Sequence, residues 1–168
     1  MDVSSLGEIE LAAQDPAPQQ PAAQQADPLK FTHDGNMLLI WQIKPDRAAD
    51  FELGWKTIKE ALAANANPDI KAFGDSFTVS KVNLPAGAPT VMYVFQLMPV
   101  SKTYSYNPVT LLFTTLKAPA ADPAATTPPP PPPGTFTDAQ AREVFDKING
   151  SWIDPNGISP WPLAKMPW

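Results

Sequence analysis

Asn36-Met37-Leu38-Leu39-Ile40-Trp41-Gln42-Ile43-Lys44 is the strongest structural signal in the chain. Read as a strand, it places Met37, Leu39, Trp41 and Ile43 on one face and Leu38, Ile40 and Gln42 on the other. A strand wetted on one side alternates apolar and polar residues, because successive side chains point to opposite faces. Here both faces are largely apolar, which predicts a strand covered on both sides.

The residues that follow supply the first cover. Pro45-Asp46 opens a helix, since proline is tolerated in the first turn and acidic residues suit the positive helix start. Ala48, Phe51, Trp55, Ile58 and Leu62 recur every three or four residues and form one stripe, with Lys56, Lys59 and Glu60 on the wet side. Asn65 to Pro68 ends this helix. Ser76 to Asn83 then alternates, with Phe77 and Val79 opposite Ser76, Thr78 and Ser80, as expected of an edge or half-exposed strand. The turn-rich Leu84 to Pro89 leads into a third strand, Thr90 to Met98, and the pair reads as a hairpin.

Asn107-Pro108 caps a second helix to about Leu116, with Val109, Leu112 and Phe113 as its expected buried side. Thr137-Asp138-Ala139-Gln140 is a capping box, and the helix after it carries Ala141, Val144, Phe145 and Ile148 on one stripe before Gly150. The order strand, helix, strand, strand, helix makes the fold class α+β. With one more strand it is a ferredoxin-like antiparallel sheet with helices on one face. One helical layer covers one sheet face only. The second apolar face therefore calls for a second copy packed sheet to sheet, giving a homodimer of the dimeric α+β barrel type.

Composition divides the rest. Of 168 residues 22 are proline, clustered at Pro16 to Pro28, Pro119 to Pro133 and Pro155 to Pro167. The expected organisation is a Pro/Gln/Ala-rich tether over 1–29, an α+β core over 30–116, a polyproline linker over 117–135, a C-terminal helix over 136–150 and a Trp/Pro-rich tail over 151–168. Asp15 to Asp27 has too few apolar anchors to offset chain entropy and reads as a disordered spacer. Pro128 to Pro133 should form a stiff polyproline II rod.

Net charge is −5 and the only arginines are Arg47 and Arg142, which argues against nucleic acid. The absence of cysteine removes disulfides, thiolate metal sites and cysteine nucleophiles. No apolar run is long enough for a membrane span. Leu11-Ala12-Ala13-Gln14 followed by a Pro/Gln/Ala stretch is similar to the start of an exported chain after signal cleavage, which leads us to expect a periplasmic or secreted protein.

Within Phe31 to about Leu116 the chain resembles an uncharacterised family of small exported bacterial proteins. The resemblance rests on the turn Ile43-Lys44-Pro45-Asp46, the helix start Ala48-Ala49-Asp50-Phe51, the strand Tyr93-Val94-Phe95 and, more loosely, Tyr106 to Leu111. It implies a dimeric barrel and export, and brings no active site. The insertion Lys117 to Gly134 and the Trp/Pro tail depart from the pattern. Proline is poorly tolerated inside a sheet, so those departures weigh against a final strand. The expectation is a C-terminal helix returning to the helical layer and a tail lying on the surface or reaching a partner.

Candidate sites are few. His33, the only histidine, sits beside Asp34 and could act as a base or ligand, but it lacks the cluster or the Gly-x-Ser-x-Gly elbow that catalysis would need. Asp46, Asp50 and Glu52 could hold a cation; dipole complementation at a helix start is the simpler reading. A ligand pocket would be lined by Trp41 and Tyr93, with Tyr104 and Tyr106 at its rim and His33 nearby. Trp41, Trp55, Tyr93 and Phe95 read first as core. Pro128 to Pro133 reads as a spacer before an SH3-type ligand. Trp152, Trp161 and Trp168 would either anchor a protein partner, since tryptophan concentrates at interface hot spots, or dock on their own domain. No catalytic residue, metal or cofactor is expected. The leading functional reading is a non-catalytic extracytoplasmic binding or assembly module whose residues 151–168 can be deleted with the fold intact. The alternative is a cofactor-independent oxygenase or small-ligand enzyme of the barrel type, with a pocket near Trp41, Tyr93 and Tyr104.

Overall fold

A computed structural model describes residues 27–120, 130–154 and 158–164. The expected N-terminal spacer lies almost wholly outside the described residues, as do Pro128, Pro129 and Trp168. The strands are β1 (Asn36–Ile43), β2 (Phe77–Lys81), β3 (Val91–Leu97) and β4 (Ser159–Leu163). They form one sheet in the order β2-β3-β1-β4, every pair antiparallel. The helices are α1 (Ala48–Ala64), entered through the 3-10 turn Pro45–Arg47, then α2 (Pro68–Asp75), α3 (Pro108–Thr110) and α4 (Asp138–Ser151).

The register sorts the strand side chains cleanly. Met37, Leu39, Trp41 and Ile43 of β1 oppose Leu97, Phe95, Tyr93 and Val91 of β3 on the inner face, and Phe77 of β2 opposes Leu97. Phe51, Trp55, Ile58 and Leu62 of α1 pack onto that face, as the helical stripe requires, and are 0–3% exposed. The centre of this layer is aromatic. The Trp41 ring lies 5.4–5.7 Å from the rings of Phe51, Trp55, Phe95 and Trp152.

Local chemistry accounts for the helix starts. Asn67 accepts from the Asp69 N–H and Asn107 from the Val109 N–H, each just before a proline that needs no partner. Thr137 and Gln140 form the reciprocal capping box expected of them. α2 has no counterpart in the sequence expectation: Asn65 to Pro68 ends α1, and Asn67-Pro68 at once starts another helix that buries Ile70 and Phe73. α3 also differs. It runs on as a π-helical turn, Leu111–Thr115; Leu112 is buried as expected and Phe113 packs on the core, Leu111 and Leu116 are buried as well, and Val109 is 44% exposed.

Three boundaries move. Leu29, expected in the tether, is core, and Asp27 is fixed by four hydrogen bonds. The proline-rich insertion closes on itself: Lys117 bridges Phe136, with the Phe136 N–H donating to Leu116 O at 2.7 Å. It ends in a turn, Pro132 O accepting from the Thr135 N–H and hydroxyl, while the rod expected over Pro128 to Pro133 begins outside the described residues. It therefore brings α4 back beside α3, and α4 packs on α1 where Gly54 lets Ile148 approach. Ala141, Val144 and Ile148 join the same core as β1 and α1. Finally, the expectation against a last strand is corrected. Residues 159–163 form β4 at the sheet edge, pairing Trp161 with Leu38. Pro160 and Pro162 are two residues apart, so both missing N–H groups fall on one side, and an edge strand can turn that side to solvent.

Candidate functional site

The residues expected to line one pocket do not converge. Trp41 is 1% exposed at the core centre, directly opposite Tyr93 in the β1–β3 register, and Phe51 of α1 packs against both, its ring 5.7 Å from that of Trp41 and 4.7 Å from that of Tyr93. Tyr93 lines a cleft beside α1 and Tyr104 a different one by α2, and Trp41 lines neither. Tyr106 is buried against Phe31, Phe73 and Phe77, its hydroxyl accepting from the Ser101 N–H at 2.8 Å. Burial pushes its phenol above the ordinary range. Tyr104 is half-buried on the Phe73 ring, in a shallow cleft by α2 that is remote from Tyr93. His33 is exposed, with Nδ1 3.3 Å from the Asp34 carbonyl oxygen.

The tail tryptophans also separate. Trp152 is half-buried on Trp41 and bridges Ile43, so the chain just past α4 belongs to the core. Deleting 151–168 would remove this packing, which overturns the expectation of an intact fold. The indole Nε1 atoms of Trp41, Trp55 and Trp152 are buried without a hydrogen-bond acceptor. Trp161 is 58% exposed on β4. Trp168 lies outside the described residues.

Two features remain that can meet another molecule. The first is the outer sheet face. It carries Leu38, Ile40 and Gln42 from β1, Met92, Val94 and Gln96 from β3, and Thr78 and Ser80 from β2, with Trp161 and Leu163 from β4. Its middle (Leu38, Ile40, Met92 and Val94) is only half-buried, and Trp161 and Leu163 are open, while the helices all lie on the other side. Among the described strand residues none on this face is charged, in a chain where 17% of residues are.

The second is a cleft of about 370 Å³ between α1 and the edge strand β2. Phe51, Trp55, Val79 and Tyr93 form its floor. Glu52 stands at the rim, where its Oε1 accepts from Tyr93 O–H at 2.5 Å and Lys81 Nζ at 3.0 Å. These bonds, with the Tyr93 one leading, hold the Glu52 carboxyl below its usual range. Burial and the Glu52 contact push the Tyr93 phenol well up. Lys59, expected on the wet side, instead folds inward. Its Nζ donates to Gly74 O at the end of α2 and to Phe77 O at 2.8 Å, and lies 4.2 Å from the Phe77 ring centre. Burial lowers its ammonium pKa, with Asp75 acting the other way.

Asp50 pairs with Arg47 at 3.1 Å, and Glu52 is turned to the sheet edge. Among the described residues no cluster of three metal-ligating side chains occurs, and no helix is long and apolar enough to cross a membrane. Sequence reasoning missed Glu52, Lys59 and Lys81 as a group. Glu52 and Lys59 each flank the apolar stripe by one residue, and their partners lie on other elements. Comparison of the chain with family models, curated proteins and solved structures found no match.

Proposed function

We propose that this protein is a non-catalytic binding or assembly module that self-associates through its outer sheet face. The carrying observation is that face itself. It has an apolar middle, a rim of Gln42, Gln96, Thr78 and Ser80, and no charge among the described strand residues. Depletion of charge around an apolar centre is the compositional mark of a protein interface, not of a wetted surface. The strand order β2-β3-β1-β4, with helices following β1 and β3, supports a ferredoxin-like reading. Two such sheets packed face to face, about 10 Å apart, make the dimeric barrel that the resemblance implies. A two-fold axis would give both copies the same contacts.

Trp161 unites the two partner surfaces expected separately. It stands beside Leu38 on this same face, so the partner of the tail tryptophan is the second copy of the chain. An extracytoplasmic setting follows from the family resemblance and is part of the proposal.

The chain lacks cysteine, so Ser80→Cys creates a single attachment point on the outer face. With a spin label there, pulsed electron resonance should report one defined distance between copies. That distance should vanish when Val94→Lys is added, because a charge in the middle of an apolar interface has no partner. A signal of isolated labels in the parent protein would refute the proposal.

A further inference from the structure

The two edges of the sheet differ in what they offer another chain. The Met98 N–H donates to Ser76 O and the Val82 N–H to Met92 O, so in this register Thr78 and Ser80 are the β2 residues that bond to β3. Val79 and Lys81 alternate with them and turn their N–H and C=O groups away from the sheet. Among the described residues no hydrogen bond satisfies these groups. At Phe77 the outward C=O is already taken, accepting from Lys59 Nζ at 2.8 Å. The same alternation, carried through β3 and β1, turns Pro160 and Pro162 of β4 outward, where neither has an N–H to give. One edge is closed by proline and the other is open.

The open edge runs along the cleft of about 370 Å³ beside α1, whose floor is Phe51, Trp55, Val79 and Tyr93. Residues directly opposite each other in an antiparallel pair share a sheet face. A residue paired with Val79 would therefore point its side chain into that cleft, and its two neighbours would point to the outer side. The charges around the cleft cancel locally. Lys81 meets Glu52 at 3.0 Å, Lys56 meets Glu60 at 3.8 Å, and Lys59 rests on two carbonyl oxygens with Asp75 offsetting its charge. The complement of such a site is neutral, carries alternating donors and acceptors, and has one apolar group. A peptide backbone with a single bulky side chain meets all three conditions. We propose that β2 takes up an uncharged, extended segment of a partner protein as a fifth, antiparallel strand, with an aromatic side chain opposite Val79 seated in the α1–β2 cleft. The outer face stays free, so a dimer formed there keeps this edge available.

The test uses full-length protein and the blocked peptide acetyl-Ser-Thr-Phe-Thr-Ser-amide, followed by amide shifts in NMR. Its Kd should be on the order of 1 mM or tighter, and insensitive to salt because no ion pair forms. Shifts should centre on Val79 and Lys81, and exchange of their amide protons should slow. Two methylated isomers of the peptide decide the matter. A methyl on the amide nitrogen of its phenylalanine removes the donor aimed at Val79 O and should weaken binding at least about tenfold. A methyl on the amide nitrogen of the threonine that follows, which points away from β2, should change binding by less than about twofold. Replacing the phenylalanine by alanine should cost about fivefold or more. Val79→Pro should abolish binding. Pro160 and Pro162 show that this sheet accepts proline at an edge, and the isomer pair needs no change to the protein at all. Equal binding of the two methylated isomers overturns the proposal. So do shifts centred on Leu38 and Val94, Val79 and Lys81 amides already protected in the free protein because another part of the chain fills the edge, or no binding at about 10 mM peptide.

Discussion

Asp27 shows what one residue can do at the start of the folded chain. Its carboxylate accepts from the Leu29 N–H, the Ser105 and Thr110 hydroxyls and the Asn107 amide, tying the first described segment to the loop before α3. Burial alone would raise its pKa, but these four bonds outweigh it and the carboxyl sits below its ordinary 3.8. A depressed folded pKa means stability that is fully present above the unfolded value and lost as pH falls through the folded one. Asp27→Ala should cost about 2–3 kcal/mol at pH 7 by urea denaturation, since four donors lose their acceptor. Asp27→Asn should flatten the decline of stability below about pH 4, and an unchanged acid limb would show that other carboxylates carry it. None of this was legible in the sequence. Asp27 ends a Pro/Gln/Ala stretch, and three of its partners lie 78 to 83 residues away. The caps at Asn107 and Thr137 were legible because cap and partner lie within three residues. Glu52 and Lys59 failed for the reason Asp27 did: each looks solvated on its own helix and finds its partner on another element.

At the scale of elements, glycine reports how closely pieces dock. Gly134 and Gly87 both have positive φ, 73° and 82°. A Cβ on Gly87 would meet nothing, whereas one on Gly134 would collide with the backbone at Ala61 and Asn65 near the end of α1. Gly87→Ala should cost about 1–2 kcal/mol from conformation alone. Gly134→Ala should cost clearly more, because rigid backbone must move; equal urea midpoints for the two variants would mean the turn before α4 does not dock on α1 as described. The elements that could be read in advance were those with a local pattern. β2 is set by alternation, α1 and α4 by a stripe of three and four, and β1 and β3 by short runs that are largely apolar on both faces. α2 was hidden because Asn65 to Pro68 looked like an end, though Asn67-Pro68 has the same cap chemistry as Asn107-Pro108. On the buried side of α3, Leu112 and Phe113 were legible, whereas Val109 is exposed and Leu111 and Leu116, which the simple stripe did not include, are buried. β4 was argued away on its prolines, which an edge position tolerates when they share one parity.

For the whole molecule, the two apolar faces of β1 predicted cover on both sides, and the structure supplies one. α1 and the returning α4 cover the inner face, with Trp152 of the tail joining them. The outer face is left apolar, uncharged and lined by Trp161. Site prediction fared worse than fold prediction because aromatic residues at core spacing do not reveal whether the space between them is filled. Phe51 packs over the paired Trp41 and Tyr93, and the cleft beside Tyr93 needs α1 and β2 together. The question of what covers the outer face is settled by molecular mass in solution, by light scattering after size exclusion, for the parent protein and for Val94→Lys. The proposal predicts twice the chain mass of 18.2 kDa for the parent and a folded monomer for the variant. A monomeric parent, or a dimer that survives Val94→Lys, would contradict it.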